Sequence, residues 1–285
     1  MYTRLILKAA ACCTLVLFLI FGGKAFCQSD FERAMQEKTD SLLSTAKDKN
    51  PEHNLVPDDA LQTITIPSGW GGYGDYLFGG IGGIYPQVYH TSADLIASGG
   101  ACFGNPFKAV NVAISINMTD VHRFTDFSGN FMVSRVVAVG SSISAGGLQL
   151  LAAKGRSDAP GETFYFAFSH AVQSLPSLTP GASRLTYTIG IGDGRFYLKS
   201  PDDIKAGRGQ NGTGVFGSVA YEVIHHVNLI AEWSGTNLGV SAGFRPFKQP
   251  LSLGLGAVDL TRFSGDKPGM IFSIGYPLSL DRQKK

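Results

Sequence analysis

A period of two runs through most of this chain. From Leu61 onward about twelve segments alternate apolar side chains with small or polar ones. They lie near residues 76–84, 93–103, 107–118, 129–138, 141–151, 163–172, 183–192, 213–223, 226–234, 236–245, 250–259 and 268–277. Successive side chains of a strand face opposite ways, so such a period separates two environments. In the stretch 110–118 one face is Val110, Val112, Ile114, Ile116 and Met118, and the other is Asn111, Ala113, Ser115 and Asn117. Near the carboxyl end Met270, Phe272, Ile274 and Tyr276 oppose Gly269, Ser273 and Gly275.

The composition of the second face decides between two all-β solutions. A soluble sandwich turns its polar face to water and dresses it with Lys, Glu, Arg and Thr. Here that face is mostly Gly, Ser, Asn and Ala, and the whole chain is only 16% charged with 36 glycines in 285 residues. Small residues suit a narrow barrel interior, and the apolar face then meets lipid. Most segments run nine to twelve residues, whereas a tilted membrane-crossing strand needs about 9–11 and a soluble strand usually about 5–6. The expectation is an antiparallel transmembrane β-barrel of about twelve strands. A soluble secreted β-sandwich that binds a ligand is the weaker solution.

Connector lengths test the register. Membrane barrels have short turns at one end and longer loops at the other. The stretches 104–106 and 246–249 are short, whereas 119–128, 152–162, 193–212 and 260–268 are long and fall at the alternate end. Two stretches break the rule: Ser234-Gly235 is tight where a long loop is expected, and 173–182 is long where a turn is expected.

The amino terminus has the parts of a secretory signal: Arg4 and Lys8, an apolar run from Ala9 to Gly23, and Ala25 and Cys27 before Gln28. The expected division is a signal peptide over 1–27, a polar helical segment and linker over 28–60, and the barrel over 61–285. Cleavage removes three of 24 basic residues and leaves 22 acidic ones in place, turning a net charge of +2 into −1. Neither value gives a reason to expect nucleic acid. Only Cys102 of four cysteines would remain, so no internal disulfide is available.

These features resemble bacterial outer-membrane β-barrel proteins, whose last strand pairs glycine with alternating apolar residues and closes on an aromatic. Gly269, Phe272, Ile274 and Tyr276 match that signal, although nine residues follow Tyr276. The stretch from Ala231 through Trp233 to Phe244-Arg245-Pro246 also resembles a hairpin of the YjbH type, barrels associated with exopolysaccharide export. The resemblance implies location in the cell outer membrane of a Gram-negative bacterium, with outer-membrane lipid and the barrel-assembly machinery as partners. The hairpin adds envelope polysaccharide export components.

The function expected is a narrow pore or transport channel with a small-polar lumen. The alternative is a non-conducting structural or accessory barrel in envelope and exopolysaccharide export. Arg135, Arg184, Glu222, Glu232 and Arg245 are the candidate lumen charges. Tyr221, Trp233, Phe244, Phe247 and Tyr276, near strand ends, are the candidate interfacial aromatics.

No enzyme, cofactor or metal is expected. The string Gly207-Arg208-Gly209-Gln210-Asn211-Gly212 matches a dinucleotide fingerprint, but a β pattern follows it where the phosphate-binding mechanism needs a helix. His225 and His226, if on a strand, would point to opposite faces and could not share a metal. Asp120, His122 and Asp126 gather near one strand end, where a solvated loop carries such residues routinely.

Overall fold

The computed structural model describes residues 54–85, 94–121, 125–152, 161–199, 201–247, 249–261 and 268–280. The expected signal peptide, and the helical segment as far as residue 53, lie outside the described residues.

Fourteen strands are present among the described residues. They are β1 (Val56–Pro57), β2 (Tyr76–Tyr85), β3 (Asp94–Gly104), β4 (Asn111–Asp120), β5 (Thr125–Ala138), β6 (Ser141–Leu150), β7 (Thr163–Ala171) and β8 (Ala182–Ser183). They continue as β9 (Leu185–Gly192), β10 (Val215–Ile224), β11 (Val227–Trp233), β12 (Leu238–Phe244), β13 (Ser252–Val258) and β14 (Gly269–Ser279). Twelve of them close into one barrel, in the order β2 to β7, β9, then β10 to β14 and back to β2. Every neighbouring pair is antiparallel, and the seam joins β14 to β2 from Met270↔Tyr85 to Ser279↔Tyr76. Closure matters because an unpaired backbone group in lipid costs several kcal/mol. The remaining strands, β1 and β8, form a short parallel pair.

The antiparallel barrel expected from the alternation is therefore the fold observed, and each of the twelve segments read from sequence is a barrel strand. The faces also divide as the alternation requires. On β4, Asn111 is fully buried in the interior while Ile114 and Ile116 are exposed on the outer wall. On β9, Thr186 and Thr188 are buried and Tyr187, Ile189 and Ile191 are exposed.

The two ends differ. At one, here the turn end, the chain enters the barrel at Tyr76, leaves it at Ser279, and makes two-residue turns at 139–140 and 225–226. The other, the loop end, carries the connections 151–162 and 193–214. The latter holds a 3-10 turn (Gly194–Phe196) and one short helix, α1 (Pro201–Lys205).

Gly140 shows how tightly the turn end is built. Its φ is +63°, a conformation that side chains disfavour. A Cβ there would also overlap the Gln173 amide and approach Ala171 O to 2.7 Å.

Candidate functional site: a lumen filled by its own chain

The interior of the barrel is occupied. Residues 54–75, divided in the sequence reading between linker and barrel, form one continuous segment that touches inward-facing side chains along its length. It starts at the turn end. Asn54 Oδ1 accepts the Gly140 N–H at 3.0 Å, and Leu55 exchanges two 2.9 Å bonds with the Gln173 side chain. Val56 and Pro57 pair with Ala182 and Ser183. The long 173–182 connection thus has a partner: it holds the entering segment.

Further along, Asp58 Oδ1 accepts from Asn228 Nδ2 at 2.9 Å and from the Ala60 N–H at 2.8 Å. Asp59 meets His226 Nδ1 at 2.6 Å and Arg245 at 3.2 Å. Asn228 Nδ2 also donates to Leu61 O at 3.1 Å. Near the loop end Glu232 accepts the Ile64 N–H at 2.8 Å, the Thr65 N–H at 3.1 Å and the Thr65 hydroxyl at 3.0 Å. Ile66 then enters an apolar cluster with Tyr165, Ala167, Phe196 and Phe216, flanked by Met132 and Leu148.

The segment turns back from there. Ser144 Oγ donates to Ser68 O at 2.8 Å, and the Gly69 N–H donates to Ser169 Oγ at 2.8 Å. A Cβ on Gly69 would sit 2.6 Å from Ser142 O, so only glycine passes the wall at this distance. Gly74 N–H reaches Gly104 O at 3.0 Å at the turn end, and β2 begins. The segment is a loop inserted into the lumen from one end, with its apex at Ile64–Ile66.

The loop end is capped as well. Phe196, fully buried, lies 4.3 Å from Phe216 between ring centroids. Gly235 accommodates the Phe196 backbone: its φ is +91°, and a Cβ there would come to 2.9 Å of the Phe196 carbonyl carbon. That contact explains the tight Ser234-Gly235 connection, since a longer loop would displace the cap.

Within the inserted segment, Asp58 is electrostatically strained. Burial pushes its carboxyl up to about 6; hydrogen bonds from the Ala60 N–H, Asn228 and Gln62 oppose the shift, and the Glu222 charge adds to it. Several lumen hydroxyls, including Ser134 Oγ, Ser218 Oγ, Ser241 Oγ and Thr186 Oγ1, are buried without a protein partner among the described residues.

The candidate lumen charges fall in different places. Glu232 faces inward, accepts from the inserted segment and is also the charge that faces the buried Arg195 of the loop end. Glu222 faces inward near the turn end, 1% exposed, with its Oε2 3.9 Å from Arg184 Nε. Arg245 follows β12 at the turn end and pairs with Asp59. Arg135 lies on the other wall. Its neighbour Ser134 is buried and pairs with the lumen-facing Ser144, while Arg135 pairs with Ile143, so alternation sets Arg135 outward. The stretch 131–137 carries apolar residues at both parities, which hides this in the sequence.

Of the aromatic candidates, Tyr221 and Tyr276 are exposed on the outer wall toward the turn end, where Phe244 ends β12 and Phe247 is exposed in the following connection. Trp233 ends β11 at the loop end and donates from Nε1 to Thr213 Oγ1 at 3.2 Å.

His225 and His226 make the two-residue turn itself rather than a strand, so their rings stack at 3.6 Å instead of diverging. His226 bonds Asp59, and His225 Nε2 lies 3.1 Å from Thr179 Oγ1. Of the acidic group near β4, the Asp126 carboxylate takes the Thr119 hydroxyl, and His122 lies outside the described residues. What the sequence reading lacked was the inserted segment. Its only signal was the polar run Asp58-Asp59 beside Gly69, Gly71 and Gly72.

No protein-family model matches the chain, and no curated protein matches it. Among solved structures it is similar to the outer membrane phospholipase (OMPLA) of Salmonella typhi, a dimer with bound calcium. The two share 8% identity over 73% of this chain and 90% of that one, with a TM-score of 0.38. It is also similar to the outer membrane phospholipase A of Escherichia coli, at 8% identity over 74% of this chain and 98% of that one, with a TM-score of 0.38. A likeness of that degree transfers no residue role.

Proposed function

We propose that this chain is an integral outer-membrane barrel that is closed at rest, a conduit stoppered by its own residues 54–75. The observation that carries the reading is the kind of contact that holds the segment. Most of its anchors are polar: Asp58 to Asn228, Asp59 to Arg245 and His226, Thr65 to Glu232, Ser68 to Ser144. Its apolar contacts are single side chains, Leu55 and Ala60 toward the turn end and Ile66 at the apex, with Leu61 and Ile64 lying over the wall glycines Gly243 and Gly254. Water can replace each of the polar anchors when the segment leaves, whereas a fused apolar core would resist withdrawal. A constitutively open pore does not fit a lumen so filled. The reading assigns no catalysis and no cofactor. Its partners are the lipid around the outer wall and the machinery that assembles such barrels, and nucleic acid has no part in it.

Conductance in planar bilayers tests it, with the intact chain compared to one lacking residues 54–72. Heat-modifiable migration on gels establishes first that both variants are folded barrels. The intact chain is expected to be silent and the shortened one to conduct. Steady conductance by the intact chain would show that the segment does not close the lumen. A folded but silent shortened barrel would replace the conduit with the alternative, an accessory barrel in envelope polysaccharide export of the kind its 231–246 hairpin suggests.

A further inference from the structure

The outer wall is apolar almost throughout, and its basic side chains lie toward one end. Within the twelve barrel strands Arg135 and His170 are the sole Arg, Lys or His residues. Both face outward, since Arg135 pairs with Ile143, and His170 alternates with the buried Ser169 and Ala171. Both also lie toward the turn end, on β5 and β7. Between them β6 begins with Ser141, whose Oγ is 2.8 Å from His170 Nδ1. On the far side His170 packs against Tyr187 of β9, ring centroids 5.5 Å apart. Arg135, Ser141, His170 and Tyr187 thus come from four adjacent strands and make one polar patch on a mostly apolar wall.

We propose that this patch binds the phosphate of an anionic glycerophospholipid in the leaflet at the turn end. The proposal rests on the reading that the chain spans the outer membrane. Charge is the first argument. A guanidinium on a barrel's lipid face costs little only near the interface, where it meets headgroups, and its planar donor fork suits a phosphate.

Depth is the second. His170 is next to the last residue of β7 and Ser141 is the first of β6, which sets the imidazole at the barrel rim. Arg135, paired with Ile143, starts two residues deeper. Its long stem lets the charged head rise to the same level.

The Ser141 contact is the third. When the hydroxyl donates to Nδ1, the ring proton sits on Nε2 and is directed away from Ser141, toward a phosphate oxygen. Ser141 is 7% exposed, so it orients the ring rather than receiving a ligand. Phe168 lies next along β7 on the same outer face, two residues deeper, paired with Ile143 and Ile189. Acyl chains would rest there. The turn end carries both barrel termini and the short turns, which in such barrels is the periplasmic side. The ligand is therefore a lipid of the inner leaflet.

The test is native mass spectrometry of the full chain in detergent, titrated separately with phosphatidylglycerol and phosphatidylcholine. The native protein is expected to retain one phosphatidylglycerol about tenfold more tightly than phosphatidylcholine, the worth of one charged hydrogen bond. The double variant Arg135→Gln, His170→Gln should lose that preference while keeping heat-modifiable migration. Arg135→Lys alone should keep part of it, and Arg184→Gln, at the turn end but off this patch, all of it. Equal retention of the two lipids by the native chain would overturn the proposal, as would an undiminished preference in the double variant. If the chain instead washes from membranes with carbonate or high salt, without detergent, the membrane reading itself fails and the patch falls with it. That result is distinct from a loss of lipid preference in an inserted barrel.

Discussion

Asp58→Asn should tighten the stopper at neutral pH and remove the part of its pH dependence that Asp58 supplies. The carboxyl of Asp58 rises from 3.8 to about 6 when the segment is seated. The seated form therefore holds a proton that the released form, in water, gives up between about pH 4 and 6. The sign follows. Below about pH 4 both forms are protonated and the group is neutral in its effect. As pH climbs through the window, seating loses favour. Above it the penalty is complete, about 2 units at 1.36 kcal/mol each, or about 3 kcal/mol.

The substituted amide would keep the oxygen that accepts from Ala60 and Asn228 but carries no charge to bury. The assay is thiol labelling of Thr63→Cys, placed at mid-segment, in native and Asp58→Asn backgrounds with Cys102→Ser. Taking the ratio of the two rates at each pH cancels the chemistry of the reagent. Labelling tracks the released population, so the ratio should be on the order of a hundredfold at pH 7.5 and approach one near pH 4. A ratio that stays flat across this range would refute the argument, because it would mean that Asp58 is equally solvated in both forms.

Other outcomes follow from the same structure. Glu232→Ala should strip the acceptor from Ile64 and Thr65 at the apex of the segment. The loss is about 1.5–3 kcal/mol for a charged hydrogen bond, seen as faster proteolytic nicking within residues 61–70 with the barrel intact. Unchanged nicking would mean that the apex is held by Ile66 alone. Leu253, on the outer wall beside Ile274 and Phe244, should accept Phe with little change in detergent refolding. Arg at the same position should cost about 2–4 kcal/mol if it lies near the bilayer midplane. A close-packed neighbour in place of lipid would reverse the first result, since overfilling a core costs typically about 1–3 kcal/mol.

The wall was legible in the sequence and its contents were not. The wall announces itself because each strand repeats one rule over many residues, as Val112, Ile114 and Ile116 do against Asn111, Ala113 and Ser115. The inserted segment follows no period. Its contacts join residues far apart in the chain, Thr65 with Glu232 and Gly69 with Ser169, through single bonds that leave no pattern in either stretch. Glu232 could be recognised as an inward charge, but its hydrogen-bond partners are the backbone and the Thr65 hydroxyl of the inserted segment rather than a solute. Arg135 sits among apolar residues of both parities, so only the pairing of Ser134 with Ser144 fixes its side.

The direction from which the segment enters has a topological consequence. It goes in and comes out at the turn end, tied there by Leu55 to Gln173 at the start and by Gly74 to Gly104 at the finish. Nothing in it passes through the loop end. The stopper is a bight rather than a thread, so it can be drawn out after the seam between β14 and β2 has closed, with no free end needing to cross the wall. Withdrawal leaves every barrel hydrogen bond in place. A pull from the turn end would work along the natural path of the chain, whereas a push from the far end would first have to move Phe196 off Gly235.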